Sequence, residues 1–367
     1  MSSTNNKIKP GFVFETTFYS NNNHENPYRF KANHIDKQRA PKVILCDDNH
    51  IQVGQPCKVR VTSVKSPQKK DRGFIEVEFL SAVTFKIDES FFIDEMLSLK
   101  LQALIETGRN ILLDGPQGSG KTVLSRKVAE ALGMDYVFFN CSSVYEATDF
   151  LATLQIKATE SGQAETVWTP TDIMRALESA LENPRQRYLI FLDEFNRCRE
   201  MARNGIMPAL DSTRKMYNPL TGSTVDIPDN ICWIAAINNG SQFTGTTSVD
   251  PAQLDRFAPL KMNYPPEAAE VKILLQRFPS LETSAVKRVV KAANAVRSDE
   301  ELAVDLSMRA TEEACALLSH PNFSDFSGDP LPEILKSSFS ARFMGDGDDA
   351  STDAGLVWRC IQRSLNK

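Results

Sequence analysis

Residues 115–122 read Gly-Pro-Gln-Gly-Ser-Gly-Lys-Thr, a set of types and spacings that could hold a polyphosphate. The glycines let the backbone turn tightly and aim N–H groups at an anion. The run lies between an apolar stretch, Ile111-Leu112-Leu113, and a helical pattern from Val123 to Leu132. That is the strand–loop–helix context G-x-x-x-x-G-K-[ST] requires. The helix adds its positive N-terminal end. Lys121 can reach β- and γ-phosphates, and the Thr122 hydroxyl can ligate Mg²⁺. The expected nucleotide contacts are Gly115, Pro116, Gln117, Gly118, Ser119, Gly120, Lys121, Thr122 and Val123. An ordinary glycine-rich turn is the plainer alternative.

A second constellation would complete a hydrolytic site. Leu189-Ile190-Phe191-Leu192-Asp193-Glu194 is an apolar strand ending in two acids. The first acid can hold Mg²⁺ through water and the second can polarise an attacking water. Thr122 and Asp193 are thus the metal candidates and Glu194 the general base. Trp233 to Asn239 is another apolar strand, tipped by two amides. Asn238, with Asn239 in reserve, could orient the water. Arg256, in Leu254-Asp255-Arg256-Phe257, could stabilise transition-state charge from a neighbouring subunit, or pair locally with Asp255. Arg309, in Ser307-Met308-Arg309, opens a helix from which it could fold back onto the nucleotide or remain solvated.

These residues need elements to position them. Apolar strands at 111–113, 136–140, 188–192, 231–237 and 259–262 alternate with helical stretches, which implies a parallel α/β sheet. A helix is expected over 90–108. Another is expected over 172–182, with Thr169 as its cap, Pro170 in its first turn and Asp172 at its positive end. From Pro266 to Ser319 the periodicity is helical throughout. The Ser-, Gly- and Asp-rich stretch 337–355 reads as a loop or flexible link before a short terminal helix.

Ahead of this lies a different pattern. Val43-Ile44-Leu45 is a short apolar run, and Val59, Val61, Ile75, Val77 and Phe79 alternate with polar residues. A small β-barrel of OB or related type is expected. The division is 1–85 for the β-rich domain, 86–265 for the α/β nucleotide-binding domain, and 266–367 for a helical subdomain with its acidic segment.

The chain has 367 residues and a net charge of −5. Residues 1–85 hold 13 Lys/Arg against 8 Asp/Glu, and the remainder 29 against 39. The basic excess includes Lys65, Lys69, Lys70 and Arg72 in one turn, a candidate contact for an anionic partner or simply a solvated face. No apolar stretch has membrane-spanning length, and the polar start is no signal peptide. Seven cysteines show no C-x-x-C pair, so buried free thiols in a reducing compartment are expected. Four scattered histidines show no metal-ligand spacing.

Taken in order, Gly115…Lys121-Thr122, Asp193-Glu194-Phe195-Asn196-Arg197, Asn238, Leu254-Asp255-Arg256-Phe257 and Ser307-Met308-Arg309 resemble the AAA+ ATPases of the MoxR group, with features of the CbbQ/NorQ branch. The resemblance spans roughly residues 90–320. It implies an AAA+ P-loop α/β fold with a C-terminal helical subdomain, ATP with Mg²⁺, and a cytoplasmic ring, usually a hexamer. It also implies a chaperone-like activity on a protein client, often with a von Willebrand A domain partner. Segments 153–168 and 215–225 would be hairpins facing the pore. The group does not generally carry a β-rich domain ahead of the ATPase. The alternative is a nucleic-acid-associated motor gripping DNA or RNA through its basic N-terminal domain. A third class, a feebly hydrolysing switch, is disfavoured by the intact Asp193-Glu194 pair.

Overall fold

In the computed structural model, residues 10, 13–20, 28–30, 42–45, 56–65, 74–82, 87–88, 90–158, 164–238, 249–299, 302, 306–324 and 327–366 are described. The chain opens with β1 (Val13–Ser20), β2 (Tyr28–Phe30), β3 (Lys42–Leu45), β4 (Pro56–Lys65) and β5 (Phe74–Ala82). They form one sheet in the order β2-β1-β4-β5-β3, with β3 parallel to β5 and the other pairs antiparallel. Cys57, Val59 and Val61, two apart along β4, are buried together with Val77 of β5. This is the period-2 signature of a strand with one covered face. Lys69, Lys70 and Arg72 lie outside the described residues.

The next sheet positions the chemistry. After α1 (Glu95–Glu106) come β6 (Ile111–Asp114), α2 (Lys121–Ala131), β7 (Asp135–Asn140), and a hairpin of β8 (Ala152–Ala158) and β9 (Ala164–Pro170). Then follow α3 (Asp172–Glu182), β10 (Tyr188–Asp193), α4 (Glu200–Leu210), and a second hairpin of β11 (Lys215–Asn218) and β12 (Ser223–Asp226). The unit ends with β13 (Ile231–Ile237), α5 (Pro251–Leu254) and β14 (Ala258–Lys261). Five strands make an all-parallel sheet in the order β14-β6-β13-β10-β7. Successive residues of its strands feed two cores. Ile190, Leu192 and Trp233 pack on one side with residues of α3 and α4. Leu189, Phe191 and Ile234 pack on the other with residues of α1 and α2. Burial on both faces explains why these strands read as continuous apolar runs.

Helices complete the chain: α6 (Glu267–Arg277), α7 (Thr283–Arg297), α8 (Met308–Leu318), α9 (Pro321–Ser324), α10 (Leu331–Ser338) and α11 (Asp353–Leu365). Their shared core includes Leu274, Val286, Val290, Leu335 and Ile361. The stretch 337–355 holds the end of α10, a single 3-10 turn, and turns in which the Thr352 hydroxyl donates to the carbonyls of Asp346 and Asp349.

Two helix boundaries differ from the sequence expectation. Helix α1 begins at Glu95, because Asp94 caps it by accepting from the Leu97 N–H at 3.1 Å, and Ser90–Ile93 stays outside as a linker. Helix α3 is capped by Thr171, which accepts from the Met174 N–H at 3.3 Å, and not by Thr169. Thr169 and Pro170 belong to β9, where they face Thr153 and Ala152 across the ladder. Strand pairing outcompeted the local capping signal.

Candidate functional site

Parallel pairing brings the carboxyl ends of β6, β13 and β10 to one edge, in that spatial order. Ligands of open α/β sheets bind at such an edge. The phosphate loop leaves β6 there and enters α2 through Gly120, whose φ is +91°. A Cβ on Gly120 would lie 2.8 Å from the Phe91 ring. Gly118, at φ +73°, would carry a Cβ 2.5 Å from Cβ of Ser307, at the cap of α8. The loop is thus gripped between the Ser90–Ile93 linker and the helical subdomain, with no room for a side chain at Gly118 or Gly120.

Lys121 is buried, and its ammonium donates to the carbonyls of Gly115 at 2.7 Å and Pro116 at 2.8 Å. One residue on, the Thr122 hydroxyl donates to Asp193 Oδ2 at 3.1 Å. The tips of α2 and β10 therefore hold a hydroxyl and a carboxylate in direct contact, an oxygen pair suited to a hard cation such as Mg²⁺. Among the described residues no group of three or more His, Cys, Asp or Glu could hold a metal ion. This pair fits a cation that arrives with oxygen ligands from a nucleotide.

Glu194 follows in a left-handed conformation, φ +52°, a position uncommon outside glycine. Its carboxylate Oε1 lies 3.6 Å from Arg197 Nε. The turn beneath it is anchored twice. Phe195 is fully buried and packs edge-on to Phe257 with ring centroids 5.6 Å apart. Asn196 donates to the Asn238 carbonyl at 2.9 Å, tying the turn to the end of β13. The Asn196 anchor went unread in the sequence, because its meaning lies in a partner 42 residues away.

A cleft of about 550 Å³ opens over these groups. Its lining includes Gln117–Val123, Asp193, Glu194, Asn238 and Arg309. Gly115 and Pro116 sit behind it, as carbonyl acceptors for Lys121. The lining also includes the apolar Phe91, Ile93, Leu97, Pro265, Ile273 and Met308, to which the sequence reading had given no part in the site. Polar and apolar groups together line a cleft of the size and chemistry that a small polar ligand with an apolar part requires.

Arg256 lies outside the cleft lining. Its Nη2 sits 3.8 Å from Asp211 Oδ2, and its Nη1 donates to the Ala252 carbonyl. The local pairing considered for Asp255 is made by Asp211 instead. Arg309 is exposed at the start of α8 and lines the cleft. Asn239 lies outside the described residues. The six described cysteines are free. Burial pushes the Cys198 thiol up to about 11 and raises Cys141, near the acid pair, well above its ordinary value. Both stay protonated and play no nucleophilic part at neutral pH. No described helix is long and apolar enough to cross a membrane.

The chain is 27% identical over 238 residues to an uncharacterized protein of Staphylococcus haemolyticus, covering 65% of this chain and 83% of that one. An uncharacterized protein of Staphylococcus saprophyticus is 26% identical over 232 residues, covering 63% and 83%. Among solved structures, the Thermotoga maritima RuvB Holliday junction branch migration motor is 16% identical with a TM-score of 0.40, covering 71% of this chain and 70% of that one. With its five-stranded parallel sheet, phosphate loop and C-terminal helical region, the chain has the AAA+ P-loop fold, and residues 110–257 match the AAA domain of the dynein-related subfamily.

Proposed function

We propose that this protein is a Mg²⁺-dependent ATPase of the ring-forming MoxR kind, close to the CbbQ/NorQ branch, which remodels a protein client. The contact between the Thr122 hydroxyl and the Asp193 carboxylate, beside a loop where a Cβ on Gly118 or Gly120 would clash, carries the Mg²⁺-dependent ATPase part of this reading. Mg²⁺ held there would offset the charge that builds on the β- and γ-phosphates. Lys121 exchanges its two loop carbonyls for phosphate oxygens. Glu194 takes a proton from the water that attacks the γ-phosphorus, Asn238 orients that water, and the bond to the β–γ bridging oxygen breaks to leave ADP and phosphate. Arg309 of the helical subdomain and Arg256 of an adjacent subunit would supply positive charge to the transition state.

The client reading rests on the two hairpins. Leu154, Ile156 and Trp168 are exposed on β8–β9, and Tyr217 is exposed on β11. Leu154 faces Trp168 across the ladder, so they share one face with Ile156. Such side chains suit transient grip on an unfolded segment in the pore of a hexamer. A second reading, a nucleic-acid motor, draws on the N-terminal sheet. Its order β2-β1-β4-β5-β3 with β3 parallel to β5 accords with an OB-type barrel, and residues 1–85 carry the basic excess. Phosphate release with and without single- and double-stranded DNA or RNA separates the readings, since only a motor speeds up.

The ATPase itself is tested by two variants. Lys121→Ala abolishes ATP binding, because the phosphates lose their main compensating charge. Glu194→Gln binds ATP and hydrolyses it about 10²–10⁴-fold more slowly, the usual worth of a general base. Near-normal ATP affinity in the first, or turnover within about tenfold of wild type in the second, would sink the assignment.

A further inference from the structure

Tyr264 stands in the segment joining β14 to α6, where the sheet hands over to the helical subdomain. Its hydroxyl donates to the carbonyl of Gln117, in the phosphate loop, at 2.8 Å. Its ring carries the Arg297 guanidinium 4.4 Å from the centroid. That arginine is itself fixed. Its side chain is 7% exposed, against 0% for Glu270, and the two form a bidentate pair at 2.6 and 3.1 Å. Its Nε donates to the Leu306 carbonyl at 2.8 Å, and the Thr311 hydroxyl donates to Glu270 at 2.8 Å. A rigid block of α6, α7 and α8 thus presses on one face of Tyr264, while the phenol holds one peptide of the phosphate loop.

The 117–118 peptide is trans, since the described chain has no cis bond, so its C=O and N–H point in opposite directions. Holding the carbonyl on Tyr264 therefore fixes where the Gly118 N–H points. Gly118, free of a side chain and at positive φ, could otherwise rotate widely. We propose that Tyr264 is a positioning residue for phosphate binding: its hydroxyl presents the Gly118 N–H to the polyphosphate, and its ring links that peptide to the helical subdomain. This rests on the phosphate-loop reading above and adds a residue to it.

Tyr264→Phe removes the hydroxyl and keeps the ring beneath Arg297. One neutral hydrogen bond corresponds to about threefold to tenfold in affinity. In the full chain, this variant should bind a fluorescent ADP about threefold to tenfold more weakly and raise KM for ATP by the same factor. Its kcat at saturating ATP should stay within about twofold, and its nucleotide-free melting temperature should fall by no more than about 4 °C, the worth of one hydrogen bond with the ring packing kept. Tyr264→Leu, which also loses the ring, should weaken ADP at least as much and melt earlier without nucleotide. Wild-type ADP affinity in Tyr264→Phe overturns the proposal. So does a fall in kcat with KM unchanged, which marks a different role, or a nucleotide-free melting temperature lowered as far as that of Tyr264→Leu, which marks a merely structural one. Failure of the wild-type chain to bind ADP would instead reject the phosphate-loop reading itself.

Discussion

At the scale of single residues, the phosphate loop is shaped as much by what surrounds it as by its own sequence. Gly118 combines positive φ with a Cβ position 2.5 Å from Ser307 Cβ, whereas Gly108 has a similar φ, +65°, and open space around it. The pair separates backbone strain from crowding. Placing an L side chain in the left-handed region costs about 1–2 kcal/mol. Gly108→Ala should lose about that much stability and leave nucleotide affinity alone. Gly118→Ala carries the same strain and also pushes Ser307 away, so ADP affinity should fall by about tenfold or more. Ser307→Gly in the Gly118→Ala background should recover part of that loss. Isothermal titration with ADP checks the series, and equal affinity for both alanine variants would dismiss the crowding argument. That Lys121, Thr122, Asp193 and Glu194 meet at one cleft was legible in the sequence because the signal is local to two short motifs. Phe91, Asn196 and Tyr264 were not, since each acquires its role from a partner far along the chain.

Among elements, the parallel strands were plain because burial on both faces writes an unbroken apolar run, as in Leu189–Leu192. Helix starts were harder. Thr169 and Thr171 are both competent caps, and only the β8–β9 ladder, formed with residues 152–158, decides between them. The buried Glu270–Arg297 pair was equally hidden, for charged residues on amphipathic helices usually face solvent. Its energetics follow from desolvation. Removing one partner strands the other charge in the interior and costs about 3–5 kcal/mol, whereas replacing both by apolar groups is often near neutral. Glu270→Ala should therefore destabilise the chain by about that amount in urea denaturation. The double variant Glu270→Leu, Arg297→Met should recover most of the loss while still losing the Tyr264 cation–π contact. A double variant as unstable as the single one would show that the pair's own attraction, rather than the uncompensated charge, holds the subdomain.

For the whole molecule, the proposed ring turns on where Arg256 sits. Gln117–Val123, Asp193, Glu194, Asn238 and Arg309 all border one cleft, yet Arg256 does not line it. Instead it sits on Asp211, at 3.8 Å, a loose pair with both side chains about a third exposed. Exposed pairs of this kind contribute little stability, so the arginine can part from Asp211 at small cost. An Arg256 that serves the neighbouring site predicts a specific pattern. Arg256→Ala should bind ATP as wild type does and hydrolyse it about 10³-fold more slowly, in line with arginine fingers elsewhere. Mixed with Lys121→Ala, itself inactive, it should regain activity, because each Lys121→Ala subunit still offers an intact Arg256 to its neighbour. In a closed head-to-tail ring mixed evenly and at random, about a quarter of the sites join an intact loop to an intact arginine. Phosphate release measured across mixing ratios should pass through a maximum between two inactive extremes. Flat, absent activity at every ratio would assign Arg256 to its own chain and leave Arg197, already 3.6 Å from Glu194, as the arginine nearest the chemistry.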